Sequence, residues 1–489
     1  MNILEKHTIL KERGQAIVLV AMALVGLIAI LGLMIDIGTL FLESSKMKRA
    51  IDAAAVAASL EFREGVELDV KEDTPDLHTA AKEFIFLNED EAYSIHTYIC
   101  DDTKVVAEPE KYAGLCPDPT PNDTSDNQLY SGTDYPRKLV RVTGTKTVNF
   151  HFLPVIGIDG TTITTDAIGE AASIDLVLVI DASTSMADET KPEDGGKDFN
   201  ICNNDPTKEC QPFETVKGYA SAFAQQLVLY PYDRVSVVSF DRLAHNVTSG
   251  NGWESHIDQI QDTIDSLMVY RDDMPYCDIS LPAAGLCGAF TADGIFYQRC
   301  PHQEDTGDAA SCTSSNLGAG LELANYQFTR DMHEEALWVV VLLAGGPANA
   351  ISPTITHPAG YCPPGTSSPF PLVDGEQQPV CRDDRASERH AMGSVKYDGD
   401  DFARDKADQL VSDGFGAVVY TIGYGELINE DYRHRRTPYD PDIAARLLLY
   451  IAEEAGTPDL GMYLPAPTNA EVVEAFKKIA ENIATKITQ

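Results

Sequence analysis

Apolar and polar positions along the chain fall into three regimes. From Gln15 to Ile35 the run QAIVLVAMALVGLIAILGLMI carries no charge, and about twenty apolar residues span the hydrocarbon core of a bilayer. GTLFLESSKMKRAIDAAAVAASLEF follows without Pro and rich in Ala, which favours helix. A continuous helix from Gln15 to about Phe62 would be roughly 70 Å long at about 1.5 Å per residue. From about Glu64 to Glu170 the pattern changes. KLVRVTGTKTVNFHFLPVIG and TTITTDAIGEAAS alternate and are rich in Thr and Val, as strands are. LCPDPTPNDTSDNQ between them reads as a turn-rich loop. This is a small β-containing region without recognisable chemistry.

At Ile174 a third regime begins. IDLVLVID is a continuous apolar run ending in a carboxylate, which fits a strand buried on both faces of a parallel sheet. PFETVKGYASAFAQQLVL is helical in period, DRVSVVSF a second strand and WESHIDQIQDTIDSLM a second helix. SNLGAGLELANYQF (helix), ALWVVVLLA (strand), FARDKADQLVSDG (helix) and GAVVYTIGYG (strand) follow. PDIAARLLLYIAEEAG and NAEVVEAFKKIAENIATKI are two further helices. Strands alternating with helices predict an α/β, Rossmann-like domain: a mostly parallel central sheet flanked by helices, with ligands at the carboxyl ends of its strands.

Composition narrows the setting. Over 489 residues, 76 Asp+Glu against 37 Lys+Arg give a net charge of −39. That balance argues against nucleic acid, because phosphate binding needs Lys and Arg to displace counterions. It suits an extracytoplasmic surface, although a solvated acidic surface alone also explains it. The ten cysteines all follow the apolar run and come as near neighbours: Cys100 and Cys116, Cys202 and Cys210, Cys277 and Cys287, Cys300 and Cys312, Cys362 and Cys381. An even count in loop-like surroundings reads as disulfides, with sequential pairing the simplest connectivity. Basic residues flank the apolar run on both sides, so the positive-inside rule nearly ties. The cysteines settle the orientation and put the long C-terminal part outside the cytoplasm.

The candidate chemistry sits after the first buried strand. IDASTSM places Asp181, Ser183 and Ser185 in a D-x-S-x-S turn. One carboxylate and two hydroxyls make a hard-oxygen site suited to Mg2+ or Mn2+. Here the chain resembles von Willebrand factor A (VWA) domains, from roughly Ile174 to Ile487. In that family the turn belongs to a metal-ion-dependent adhesion site completed by a Thr and an Asp from later loops. The resemblance assigns the Thr position to Ser315, which keeps the hydroxyl. It assigns the Asp position to Gly345, which offers no ligand. Two readings stay open: a weak site completed by an acidic partner, or an empty one in which Asp181 and its serines hold the turn. Asp241, at the end of the neighbouring strand, offers a substitute ligand, but reads better as a solvated strand-end residue. Three long Cys-containing segments, Ala187–Gln211, Arg271–Ser314 and Pro347–Asp400, fall on the carboxyl side of the sheet and predict a disulfide-stapled crown around the site.

RGQAIVLVAMAL followed by KMKRAIDAAAVAAS resembles the N-terminal segment of TadE/TadG-like pilus-assembly proteins. Pilin-like members carry a Glu five residues after a processing Gly. Counted from Gly14 that position is Leu19, so the resemblance implies an anchor instead of a polymerising subunit. The expected organisation is a cytoplasmic N-terminus (1–14), a transmembrane helix (15–35), a pilin-like extension (36–62), a β-containing membrane-proximal region (63–172) and a VWA domain with disulfide-rich insertions (173–489). The resemblance implies a protein of a Tad/Flp pilus or secretion apparatus, anchored in a bacterial inner membrane with its C-terminal domain periplasmic or extracellular, and a protein partner. A cell-surface adhesin is the alternative. No G-x-S-x-G elbow, phosphate-cradling loop or HExxH is present, so no enzyme is expected. His245, His302, His357 and His390 are expected in surface loops.

Overall fold

The computed structural model describes residues 13–63, 69–88, 93–116, 136–187, 189–196, 199–241, 243–269, 315–333, 335–348, 350–352, 389–394, 397–413, 416–425, 428, 442–455 and 461–487. The chain divides into two compact units, Met1–Ala171 and Ala172–Gln489.

The first unit is built on one long helix, α1 (Arg13–Leu60). Its N-terminal half exposes apolar side chains along its length, from Ile17 to Ile37. It is one helix long and apolar enough to cross a membrane. Its C-terminal half buries Met47, Ile51, Ala54, Ala55 and Ala58. Those residues pack near α2 (Pro75–Asn88) and a three-stranded antiparallel sheet. The sheet is β1 (Ser94–Tyr98), β2 (Lys138–Asn149) and β3 (Gly160–Ala171), with the four-residue α3 (Pro109–Tyr112) between the first two strands. β2 and β3 pair in one unbroken register from Lys138 opposite Ala171 to Asn149 opposite Gly160. The alternation along KLVRVTGTKTVN is the observed one, with its even-numbered residues from Lys138 to Val148 facing inward. The helix α2 was not expected, because PDLHTAAKEFIFLN carries no strong apolar stripe.

The second unit contains β4 (Ile174–Asp181), α4 (Phe199–Asn204), α5 (Phe213–Leu227), β5 (Arg234–Phe240), β6 (Ala244–Asn246), α6 (Ile257–Asp265), α7 (Leu317–Arg330), β7 (Leu337–Ala344), α8 (Gly399–Asp413), β8 (Val418–Tyr424), α9 (Ile443–Leu449), β9 (Met462–Ala466) and α10 (Asn469–Ile487). The sheet order is β6-β5-β4-β7-β8-β9. All neighbours run parallel except the edge pair β5–β6. Every residue of β4 is buried, as its unbroken apolar run predicts. Leu176, Leu178 and Ile180 pack in one core with Phe213, Phe223, Ile260, Phe476 and Ile479. Val177 and Val179 pack in the other with Leu321, Phe328, Leu410 and Leu447. Each face of the sheet is thus covered by helices. The strand order reverses between β4 and β7, the switch point at whose carboxyl end such sheets bind ligands. Two strands, β6 and β9, were not expected; at three and five residues they are too short to show a period.

Candidate functional site

Both sides of the switch point meet at Asp181. It ends β4 fully buried. Its Oδ1 accepts the Ser183 backbone N–H at 2.8 Å, and its Oδ2 accepts the Gly345 N–H, from the loop after β7, at 2.8 Å. The Ser183 and Ser185 hydroxyls lie 2.9 Å apart. The D-x-S-x-S turn therefore folds on its own aspartate, and the same aspartate ties it to the loop of the neighbouring strand.

Gly345 stands at the site, where the VWA resemblance places an Asp. A Cβ there would lie 3.7 Å from Asp181 Oδ2, 3.6 Å from Ser185 Oγ and 2.7 Å from Met186 Sδ. The space that a side chain at position 345 would enter is filled by Met186, itself buried. A thioether replaces a carboxylate, so the hard-oxygen donor expected from this loop is absent.

A second carboxylate comes from elsewhere. Asp241, just past β5, is 2% exposed and is not the solvated strand-end residue expected from its position. Its backbone carbonyl accepts the Asn316 N–H at 2.7 Å, and its Oδ1 accepts the Leu243 N–H at 2.9 Å. Asn316 caps α7, its Oδ1 accepting the Ala319 N–H at 3.1 Å. Ser315, adjacent to that cap, is buried. The end of β5 and the start of α7, with Ser315, are thus joined by one hydrogen bond. Burial raises the Asp181 pKa; the hydrogen bonds from Ser183 and Gly345 oppose that rise without cancelling it, and the charge of Asp241 adds to it. His245 lies in β6, not in a loop, with Nε2 3.9 Å from Asp241 Oδ1.

Two buried carboxylates at the ends of adjacent strands, with the Ser183 hydroxyl on the first, are an arrangement that a hard divalent cation stabilises. The donor types present, carboxylates and serine hydroxyls, suit a hard cation such as Mg2+ or Mn2+. The letters around Asp241 hide its burial, because an aspartate after an apolar strand resembles any solvated strand end.

Of the insertions, Ala187–Gln211 is the one largely described. It holds α4 and the Cys202–Cys210 disulfide. Asn203 in α4 donates from Nδ2 to the Val269 carbonyl at 2.6 Å and accepts the Val269 N–H at 3.1 Å. The first insertion is therefore pinned to the chain just before the second. Cys100–Cys116 is also bonded. The other three proposed pairs, His302, His357, the whole second insertion and most of the third lie outside the described residues. His390 is described, its Nδ1 3.2 Å from Asp401 Oδ2.

A six-stranded sheet of this order, with a D-x-S-x-S turn at the carboxyl end of its first strand, defines a VWA-type domain. Residues 14–60, confined to α1, match the family model described as putative Flp pilus-assembly TadE/G-like. Among curated proteins nothing matches. Similar solved structures include proximal thread matrix protein 1 from the mussel byssus, at 11% identity and TM-score 0.34, covering 64% of this chain and 49% of that one. The chain thus spans about half the length of the mussel protein. The PilB minor pilin from Streptococcus sanguinis is 13% identical, with TM-score 0.36 and coverages of 72% and 76%. The vWF domain of the type V pili tip protein Mfa5 from Porphyromonas gingivalis is 14% identical, with TM-score 0.36 and coverages of 65% and 97%.

Proposed function

We propose that this chain is a membrane-anchored, non-enzymatic binding protein of a Tad/Flp pilus or related secretion apparatus. It holds a protein partner at the carboxyl-end face of its VWA sheet. The observation that carries the reading is the joint presence, in one chain, of the TadE/G-like helix α1 and the Asp181 turn at the switch point of a VWA-type sheet. In this reading α1 anchors the protein in a bacterial inner membrane. The disulfides Cys100–Cys116 and Cys202–Cys210 favour a C-terminal part in the periplasm or beyond. Asp181, Ser183, Ser185 and Ser315, with Asp241, hold Mg2+ or Mn2+. Such a cation keeps several exchangeable water positions, and an acidic side chain of the partner fills one of them.

The test is deletion of the gene in its host, with complementation by the intact chain and by Asp181→Ala. Surface pili are then quantified in sheared fractions and by electron microscopy. Loss of pili that the intact chain restores, and that Asp181→Ala restores poorly, is expected. Normal piliation after deletion sinks the assignment. If surface attachment is lost while pili persist, the adhesin reading takes its place.

A further inference from the structure

β2 and β3 form a hairpin that runs back along α1 toward its apolar half. Beside Gly144 lie Ile51 and Met47; a Cβ there would be 2.5 Å from Ile51 Cδ1. At the far end, the tip HFLPVIGID (151–159) reaches Asp36, the residue immediately after the uncharged run. Asp36 is buried. Its Oδ1 accepts the His151 N–H at 2.8 Å, and its Oδ2 accepts those of Phe152 at 3.0 Å and Leu153 at 2.8 Å. One turn deeper, Phe152 packs on Gly32, where a Cβ would lie 2.8 Å from its Cγ. The tip is therefore fixed at the end of the apolar run and slightly inside it.

That tip is also apolar and open. Val155 is 87% exposed and Ile156 71%, with Phe152 and Ile158 exposed beside them. On α1 at the same level Leu33, Met34, Ile35 and Ile37 are exposed as well. The two apolar surfaces are continuous in depth along α1. Where a loop dips into the hydrocarbon, its backbone N–H groups must be satisfied from within the protein, since lipid tails supply no acceptor. The carboxylate of Asp36 satisfies three of them at once.

We propose that the β2–β3 tip enters the outer boundary of the bilayer beside α1, so that the protein contacts lipid through two elements: the helix, and a loop carrying Phe152, Val155, Ile156 and Ile158. The proposal rests on α1 spanning the membrane, as argued above. Two contacts instead of one would fix the tilt and rotation of α1, and with them the orientation of the membrane-proximal sheet.

The experiment uses the full chain in vesicles of phosphatidylethanolamine and phosphatidylglycerol. Tryptophan is introduced singly by Val155→Trp at the tip, Thr164→Trp higher on β3 and Leu24→Trp within the apolar run. The native Trp253 and Trp338, both buried in the other unit, give a constant background. Brominated lipids should quench the fluorescence added by Val155→Trp and Leu24→Trp but not that added by Thr164→Trp, and iodide should do the reverse. Quenching of Leu24→Trp with none of Val155→Trp overturns the tip contact and leaves the anchor standing. If Val155→Trp is then also shielded from iodide, a protein surface covers the tip. No lipid quenching at Leu24→Trp removes the anchor itself, and the tip contact with it.

Discussion

Strand β4 carries an aspartate near each end, and the two are equally buried but oppositely partnered. At the amino end, Asp175 takes a two-pronged contact from Arg234: Nε donates to Oδ1 at 2.8 Å and Nη2 to Oδ2 at 2.7 Å. Arg234 also donates from Nη1 to Asp331 at 2.8 Å and stacks over Trp253 at 4.3 Å. His333 adds an Nδ1 contact to Asp175 at 3.2 Å. At the carboxyl end, Asp181 accepts two backbone N–H groups; burial raises its pKa, and the charge of Asp241 adds to the rise. The first arrangement offsets a buried charge with protein groups. The second sets a like charge near a buried carboxylate at the switch point, an arrangement that a cation from solution would relieve. One end of the strand holds its charge with protein partners, and the other is the end at which binding is proposed.

The largest effect should come from the amino end. Arg234→Ala leaves Asp175 buried without its guanidinium, and removing one partner of a buried pair costs about 3–5 kcal/mol. Urea unfolding of the second unit, followed by Trp253 and Trp338 fluorescence, should show that loss with or without Mg2+. A shift below about 1 kcal/mol, the range of exposed pairs, would erase the contrast between the two ends.

Next comes the cation. With Mg2+ at about a hundred times its dissociation constant, the intact protein should gain about 2.7 kcal/mol relative to a chelator-treated sample. Asp181→Ala should gain nothing, and titration calorimetry of the same two proteins should give saturable heat only for the first. Asp241→Asn should weaken binding as well. If it binds as tightly as the intact protein, the second carboxylate is not a ligand.

Position 345 sharpens the comparison further. Gly345→Asp alone should be destabilised, because its Cβ would lie 2.7 Å from Met186 Sδ. Gly345→Asp combined with Met186→Ala opens that space and supplies a further carboxylate. Mg2+ binding should then tighten on the order of tenfold, about 1.4 kcal/mol. Unchanged affinity in the double variant would mean that the loop after β7 does not face the cation.

The smallest effect is in pH. The Asp181 pKa is raised in the folded protein above its ordinary 3.8. Its contribution to stability is therefore complete below that value, and is lost as pH rises through the folded value. In metal-free buffer the intact protein should lose stability with rising pH more steeply than Asp181→Asn. Mg2+ at neutral pH should remove the difference between the two slopes. Parallel unfolding curves for the two proteins would show that burial and Asp241 do not perturb this group.

Much of this was readable in the chain and some was not, for reasons that particular residues make plain. IDLVLVID announced a strand covered on both faces, and KLVRVTGTKTVN announced alternation, since each period is a local property of consecutive residues. The turn around Asp181 was equally legible, because its hydrogen bond to Ser183 is made within two residues. Asp241 was misread as solvated. Its burial depends on Leu243, the capped start of α7 and the neighbouring end of β4, and none of these is implied by the letters around it. Met186 looked like an ordinary residue of the turn until the loop after β7 brought Gly345 against it.

By itself, the sequence determined the apolar span of α1, the alternation of strands and helices, the hydroxyls and carboxylate of the D-x-S-x-S turn and the missing ligand at Gly345. Tertiary structure alone decided that Asp241 is buried, that Met186 fills the space above Gly345, and that Asp36 caps a hairpin tip far along the chain. Period and composition act between near neighbours and survive in the order of residues. The partners of a buried charge are chosen by packing between distant segments, and that information exists only once the sheet has closed.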